Sequence, residues 1–172
     1  MSDFTSIHNY LQENLDSSLQ ELAQLCSQPS VAAQKLGINE CADLVADMLR
    51  KRHFMVEIMP TAGAPVVFAE RPGRTDKTIL FYNHYDVQPP EPLELWISPP
   101  FEPTIRDGKM FARGVSDDKG HLLSRLFAID ALLENYGELP CKVKFIIEGE
   151  EEVSSIHLPE FIEDHQTILS AD

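Results

Sequence analysis

Residues 144–155 read KFIIEGEEEVSS. Phe145, Ile146 and Ile147 make an unbroken apolar run of the kind found in a buried strand. Glu148, Glu150, Glu151 and Glu152 follow within five positions, and like charges this close repel one another. Open α/β sheets place ligands and chemistry at the C-terminal ends of their strands. Two adjacent glutamates there could divide the work. One could hold a metal, while the other, unbound, takes a proton from a metal-bound water. A cation would also relieve the repulsion. The plain alternative is a solvated acidic loop.

Outward from this stretch, helical and extended patterns alternate. Residues 3–26 place Phe4, Ile7, Leu11, Leu15, Leu19, Leu22 and Leu25 at spacings of three and four, which predicts an amphipathic helix ended by Pro29. Residues 38–53 repeat the pattern through Ala42, Val45, Ala46 and Leu49. Strands are predicted over 54–59, 65–69 and 78–82, with a turn at RPGRTDK. Residues 118–135 carry Leu122, Leu126, Ile129 and Leu133 on one helical face. The buried strand spans 142–147, a short helix 157–164, and a last strand starts at 167–169. This order predicts an α/β protein with a mixed, mostly parallel sheet flanked by helices.

Between these elements, residues 87–104 (VQPPEPLELWISPPFEPT) hold six of the chain's twelve prolines, so neither a helix nor a central strand forms there. A loop this long and stiff is usually functional or a cover. Asp107-Gly108 is a turn.

Composition narrows the function classes. The 172 residues are 43% hydrophobic and carry a formal charge of −14. Such a chain builds a core and lacks the basic surface that phosphate binding requires, so no nucleic-acid partner is expected. Cys26, Cys41 and Cys141 are odd in number and far apart, which disfavours a disulfide framework or a cysteine zinc site. The polar, acidic N-terminus is no signal peptide, and no apolar run approaches a membrane span. A cytoplasmic location without membrane partners is the expectation.

Three more clusters could carry chemistry. FYNHYDV ends a strand with His84 and Asp86, which point the same way in an extended chain. A metal-binding histidine usually hands its other ring proton to an acceptor such as a carboxylate. A turn histidine beside a turn aspartate is the alternative. ARGVSDDKG sets Gly114 in a tight path before a helix, with Asp117 and Asp118 at the helix start; they could be caps or metal carboxylates. Asp172 ends the apolar ILSA. Together, one histidine and several carboxylates at strand ends are a ligand set for divalent metals. The chain has no GxSxG elbow and no phosphate-binding P-loop.

These motifs, in this order, resemble the two-zinc peptidase and deacylase family of carnosinase-type dipeptidases, aminoacylases, acetylornithine deacetylase and succinyl-diaminopimelate desuccinylase. NHYDVQP is similar to that family's GHxDVxP, ARGVSDDKG to its GRGxxDxKG, and EGEEEVSS to its EGxEExGS. The proline-rich loop resembles the dipeptidase branch most. The resemblance makes residues 1–172 the N-terminal portion of the catalytic domain. It implies metal ligands at His84, Asp117, Glu152 and Asp172, with Asp117 bridging two zinc ions; manganese and cobalt are alternatives. It implies Asp86 orienting the site, a cis Asp117–Asp118 peptide bond, and Glu151 as general base for a water shared between metals about 3.5–4 Å apart. The implied substrate is a dipeptide or an N-acyl amino acid.

The chain departs from the pattern at Asn83, Ala112 and Ser154, where the family commonly has glycine. If that last glycine needs a positive φ, serine there carries a cost. The resemblance also implies a further histidine ligand and a lid and dimerisation domain beyond Asp172. His121, His157 and His165 lie in the wrong motifs to replace that ligand. Two readings follow: the N-terminal part of a working amidohydrolase, or a truncated piece that folds, binds metal weakly at most and does not catalyse. Exposed sheet edges could drive homo-oligomer formation in either. A structural module leaves three motifs to coincidence.

Overall fold

A computed structural model describes residues 4–172. The start of the helix expected from residue 3 lies outside the described residues. That expected helix is two. α1 (Thr5–Glu13) stops where Asn14 turns its side-chain amide back onto the Tyr10 carbonyl at 2.9 Å. α2 (Leu15–Ser27) then runs on to the turn before Pro29. α3 (Ile38–Lys51) buries Cys41, Ala42, Val45, Ala46, Met48 and Leu49, the stripe its spacing predicts.

The main sheet has four strands: β1 (Met55–Met59), β2 (Val66–Arg71), β3 (Thr75–His84) and β6 (Cys141–Glu148). Their order is β1-β2-β6-β3. The α/β class and the mixed sheet are as expected; the prevalence of parallel pairing is not. β1 pairs β2 and β2 pairs β6 antiparallel, and only β3 and β6 run parallel. The reason is connectivity. A parallel pair needs a long crossover, and among these strands only β3 and β6 are joined through a full helix, α4 (Lys119–Tyr136).

β6 is central and covered on both faces, which is why its apolar run does not alternate. Phe145 and Ile147 face a core built with Leu25, Val45, Leu49, Leu122 and Leu126. Ile146 faces a second, smaller cluster with Met59, Val66, Phe68 and Phe161. Phe161 comes from α5 (Leu158–Asp164), and α6 (Gln166–Leu169) adds Ile168 and Leu169 to the same face. The strand expected at 167–169 is therefore this helix. Its Ile168 and Leu169 amides bond the His165 carbonyl at 3.1 Å each, and burial against the sheet outweighs the strand preference of Thr and Ile. No helix among the described residues is long and apolar enough to cross a membrane.

The proline-rich loop holds a single 3-10 turn, Leu93–Leu95, and leads into a hairpin of β4 (Thr104–Arg106) and β5 (Lys109–Phe111) around the Asp107-Gly108 turn. Arg113 straps the loop: its amide donates to the Pro100 carbonyl at 2.7 Å and its guanidinium to the Pro89 carbonyl at 3.1 Å.

Candidate active site

The parallel pairing brings the C-terminal ends of β3 and β6 side by side, with His84 opposite Glu148 in the register. The chain leaving β3 stays extended and is pinned on both sides. The Tyr85 amide donates to the Glu148 carbonyl at 2.8 Å, the Val87 amide to Ser30 at 2.9 Å, and the Ser30 hydroxyl to the Tyr85 carbonyl at 2.6 Å. Successive side chains therefore alternate, and His84 and Asp86 share a side.

His84 is 5% exposed. Its Nδ1 lies 3.1 Å from the Asp86 carbonyl oxygen and 3.4 Å from Asp86 Oδ1. Its Nε2 lies 3.0 Å from Asp117 Oδ1 and 3.9 Å from Glu151 Oε2. Burial works against the imidazolium. The Asp86 carboxylate, then the charge of Asp118 and the Asp117 hydrogen bond, outweigh it and raise the His84 pKa to about 9.

Asp86 is fully buried, and its carboxylate joins the two halves of the cluster. Oδ1 accepts the Glu151 amide at 3.1 Å and Oδ2 the Glu152 amide at 3.0 Å. One side chain thus sets both the histidine ring and the backbone turn that carries the glutamates. That turn is a single 3-10 turn, Glu151–Val153, ended by Ser154 at φ 77°. The serine occupies the left-handed region, as the glycine pattern of the motif anticipates. Before the turn, Gly149 packs close against the Tyr85 side chain; a Cβ there would fall 2.3 Å from it.

Asp117 reaches the site from the segment before α4, through a cis Asp117–Asp118 bond. Gly114, at φ 81°, allows the tight approach; its Cβ would meet Val87 at 2.7 Å. Asp118 does not cap its own helix. Its Oδ2 accepts the Asn83 side-chain amide at 2.6 Å and the His84 backbone amide at 3.2 Å, and Oδ1 pairs with His121 at 2.7 Å. Asn83, at a glycine position of the motif, thereby ties β3 to α4. Lys119 is fully buried and donates to the carbonyls of Leu25 and Gln28 at 3.0 and 2.7 Å, closing the end of α2.

Of the expected site residues, the structure brings His84, Asp86, Asp117, Glu151 and Glu152 together and leaves Asp172 apart. Asp172 accepts the Thr78 amide at 2.9 Å and pairs with Lys77, near the start of β3. Thr78 and His84 are six residues apart on one strand, about 20 Å at the usual rise per residue. The expected strand would have carried Asp172 alongside the other strand ends; α6 turns the chain back instead. His121, His157 and His165 bond Asp118, Glu150 and the Phe161 carbonyl, so none joins His84.

Sequence reasoning missed two residues of this neighbourhood. Gln88 Nε2 donates to Glu152 Oε2 at 2.6 Å; the alternation that pairs His84 with Asp86 reaches it one step later. Glu148 is 2% exposed, and its Oε1 accepts the Tyr82 hydroxyl at 2.6 Å and the Ser155 hydroxyl at 2.8 Å. Burial pushes its pKa up. No signal in the sequence separates it from its acidic neighbours.

The donor chemistry suits a divalent ion. His84 Nε2 and Asp117 Oδ1, 3.0 Å apart, are close to the roughly 3.3 Å that separates two ligands held about 2.0–2.1 Å from one tetrahedral zinc. A third donor does not yet converge: no group of three His, Cys, Asp or Glu among the described residues could hold an ion as it stands.

Fold and site define an α/β protein with an imidazole–carboxylate centre at the ends of two parallel strands. Residues 80–170, more than half of the chain and all of this centre, match the sequence profile of Peptidase family M20/M25/M40. The chain belongs to that family. It is similar to an M20 family metallo-carboxypeptidase from Sulfolobus solfataricus, at 42% identity over 90% of this chain with a TM-score of 0.87. It is also similar to human carnosine dipeptidase 1, at 27% identity over the whole chain with a TM-score of 0.91. The dipeptidase Dug1p of Saccharomyces cerevisiae matches at 27% identity over 95% of the chain, with a TM-score of 0.83. The chain spans 36%, 40% and 38% of the lengths of these three proteins.

Proposed function

We propose that this chain is the N-terminal part of the catalytic domain of a metal-dependent peptidase that hydrolyses the amide bond of a dipeptide. The observation that carries this reading is Asp86: one buried carboxylate holds both the His84 ring and the Glu151–Glu152 turn. The dipeptidase and carboxypeptidase neighbours support a peptide over an N-acyl amino acid.

His84, Asp117 and Glu152 would hold metal, zinc first, with manganese and cobalt suited by the same donors. A bound ion supplies Lewis acidity at the scissile carbonyl. The protein does the rest. Asp86 fixes the ring of His84 and, through two amides, the position of Glu151. The Glu151 carboxylate accepts no hydrogen bond among the described residues and stands 3.9 Å from His84 Nε2. In this reading it takes the proton of the attacking water and returns it to the leaving amine.

A second reading, a chain that folds without catalysing, is favoured by the placement of Asp172. Hydrolysis of dipeptides and of N-acyl amino acids by the zinc-loaded chain decides between them. The first reading expects dipeptide turnover that falls at least about 100-fold in Glu151→Gln, with zinc retained. Turnover unchanged in that variant would refute the role of Glu151. No turnover by the wild type would establish the second reading for this chain.

A further inference from the structure

β6 ends at Glu148, and the chain then makes the turn that carries Glu151. The two ends of that excursion meet. Ser155 Oγ donates to Glu148 Oε1 at 2.8 Å, and the Ser155 amide donates to the Glu150 carbonyl at 2.8 Å. The same Glu148 oxygen accepts the Tyr82 hydroxyl of β3 at 2.6 Å. Glu148 is buried, so little water competes for these bonds. Its own carbonyl accepts the Tyr85 amide at 2.8 Å. Side chain and backbone are thus both tied to the strand that bears His84.

The return of the chain is strained. Ser154 and Ser155 both have positive φ, 77° and 49°, a region that residues with a Cβ seldom occupy. Such conformations persist only where their surroundings over-determine them. Glu148 grips the second of these serines by its hydroxyl. At the front of the turn, Asp86 holds the Glu151 and Glu152 amides. Glu151 therefore sits between two buried carboxylates, one at each end of its turn. With no hydrogen bond on its own carboxylate, it takes its place from the backbone they hold.

We propose that Glu148 is a positioning residue for Glu151: as a hydrogen-bond acceptor it closes the turn on Ser155 and fixes it to β3 through Tyr82. The proposal rests on Glu151 being the base of the reaction proposed above. It assigns Glu148 no contact with a metal or with substrate.

Two readouts test it in the wild type, Glu148→Gln, Glu148→Leu and Ser155→Ala. Amide hydrogen exchange at Glu151 and Glu152, followed by NMR on the metal-free chain together with the thermal midpoint, reports the hold itself. Turnover of a dipeptide by the zinc-loaded chain reports its consequence. Glutamine keeps an oxygen that accepts two hydroxyls; leucine keeps the bulk and removes the acceptor. Ser155→Ala removes one hydroxyl and leaves the strand untouched. Glu148→Leu and Ser155→Ala are expected to speed exchange at the two amides by about 5-fold, the worth of one hydrogen bond. In Ser155→Ala the thermal midpoint should stay put. Turnover in both variants should fall about 10-fold in kcat with KM little changed, a split that a merely structural role would not produce. Glu148→Gln should behave as the wild type in both readouts.

Other outcomes overturn the proposal, and they do so separately. Wild-type exchange in Ser155→Ala would show that the turn does not need Glu148, whatever the turnover. Faster exchange with unchanged kcat would leave Glu148 a hold on the turn without bearing on Glu151. Glu148→Gln as impaired as Glu148→Leu would make the charge, not the acceptor, the property that matters. Faster exchange in a chain whose wild type turns over no dipeptide would remove the reaction, and the positioning role with it, while leaving the hold in place.

Discussion

At the scale of the residue, His84 shows how neighbouring carboxylates outweigh burial. Its two ring nitrogens face Asp86 and Asp117, and its pKa rises to about 9. At neutral pH Nε2 carries a proton directed at Asp117 Oδ1, 3.0 Å away. The folded chain holds that proton more tightly than the unfolded chain, whose histidine titrates near 6.5. Its contribution to stability is therefore full below pH 6.5 and is lost as pH rises through about 9. Denaturant unfolding of the metal-free protein between pH 6 and 9 should show that loss, and His84→Gln should flatten it. A slope unchanged in His84→Gln would assign the effect elsewhere. His84 and Asp86 were legible in the sequence because alternation puts them on one side. Asp86's second task was not: its bonds to the Glu151 and Glu152 amides span 65 and 66 residues, and no local pattern encodes such a contact. Asp118 looked like a helix cap for the same reason, since the partners of its Oδ2 lie on β3.

At the scale of the element, strong periodicity survived and short segments did not. The stripes of α3 and α4 and the apolar run of β6 are long enough to settle their own conformation. Four residues at 166–169 are not, and the sheet face they cover makes them a helix. With that helix, Asp172 goes to Lys77 and Thr78 instead of the strand ends. The turn that bears the glutamates carries its own cost. Ser154 sits exposed at φ 77°, a conformation about 1–2 kcal/mol unfavourable for a residue with a Cβ. Ser154→Gly should stabilise the protein by about 1 kcal/mol in denaturant unfolding, and a loss of stability would mean the serine makes a compensating contact.

At the scale of the whole molecule, three helices must hold one face of the sheet for β3 and β6 to present the site. Arg52, 9% exposed, ties them together. It ends α3 and bonds Glu21 of α2 at 2.6 Å and Asp130 of α4 at 2.7 Å, with its NH1 on the Met48 carbonyl at 3.0 Å. Removing it leaves two carboxylates without their partner. Arg52→Ala should cost about 3–5 kcal/mol of unfolding free energy; a loss under about 1 kcal/mol would show that water replaces the guanidinium. The mixed sheet belongs to this scale too. The α/β class follows from the order of elements, but the antiparallel β2–β6 pair joins strands some 75 positions apart in the register, beyond what turn signals can specify.

The central claim is that His84, Asp117 and their neighbours form a metal centre. Bound zinc per chain, measured by elemental analysis after loading and desalting, tests it most directly on the wild type and Asp117→Ala. The expected result is zinc retained by the wild type and lost in Asp117→Ala. Zinc absent from both, or held equally by both, would contradict it.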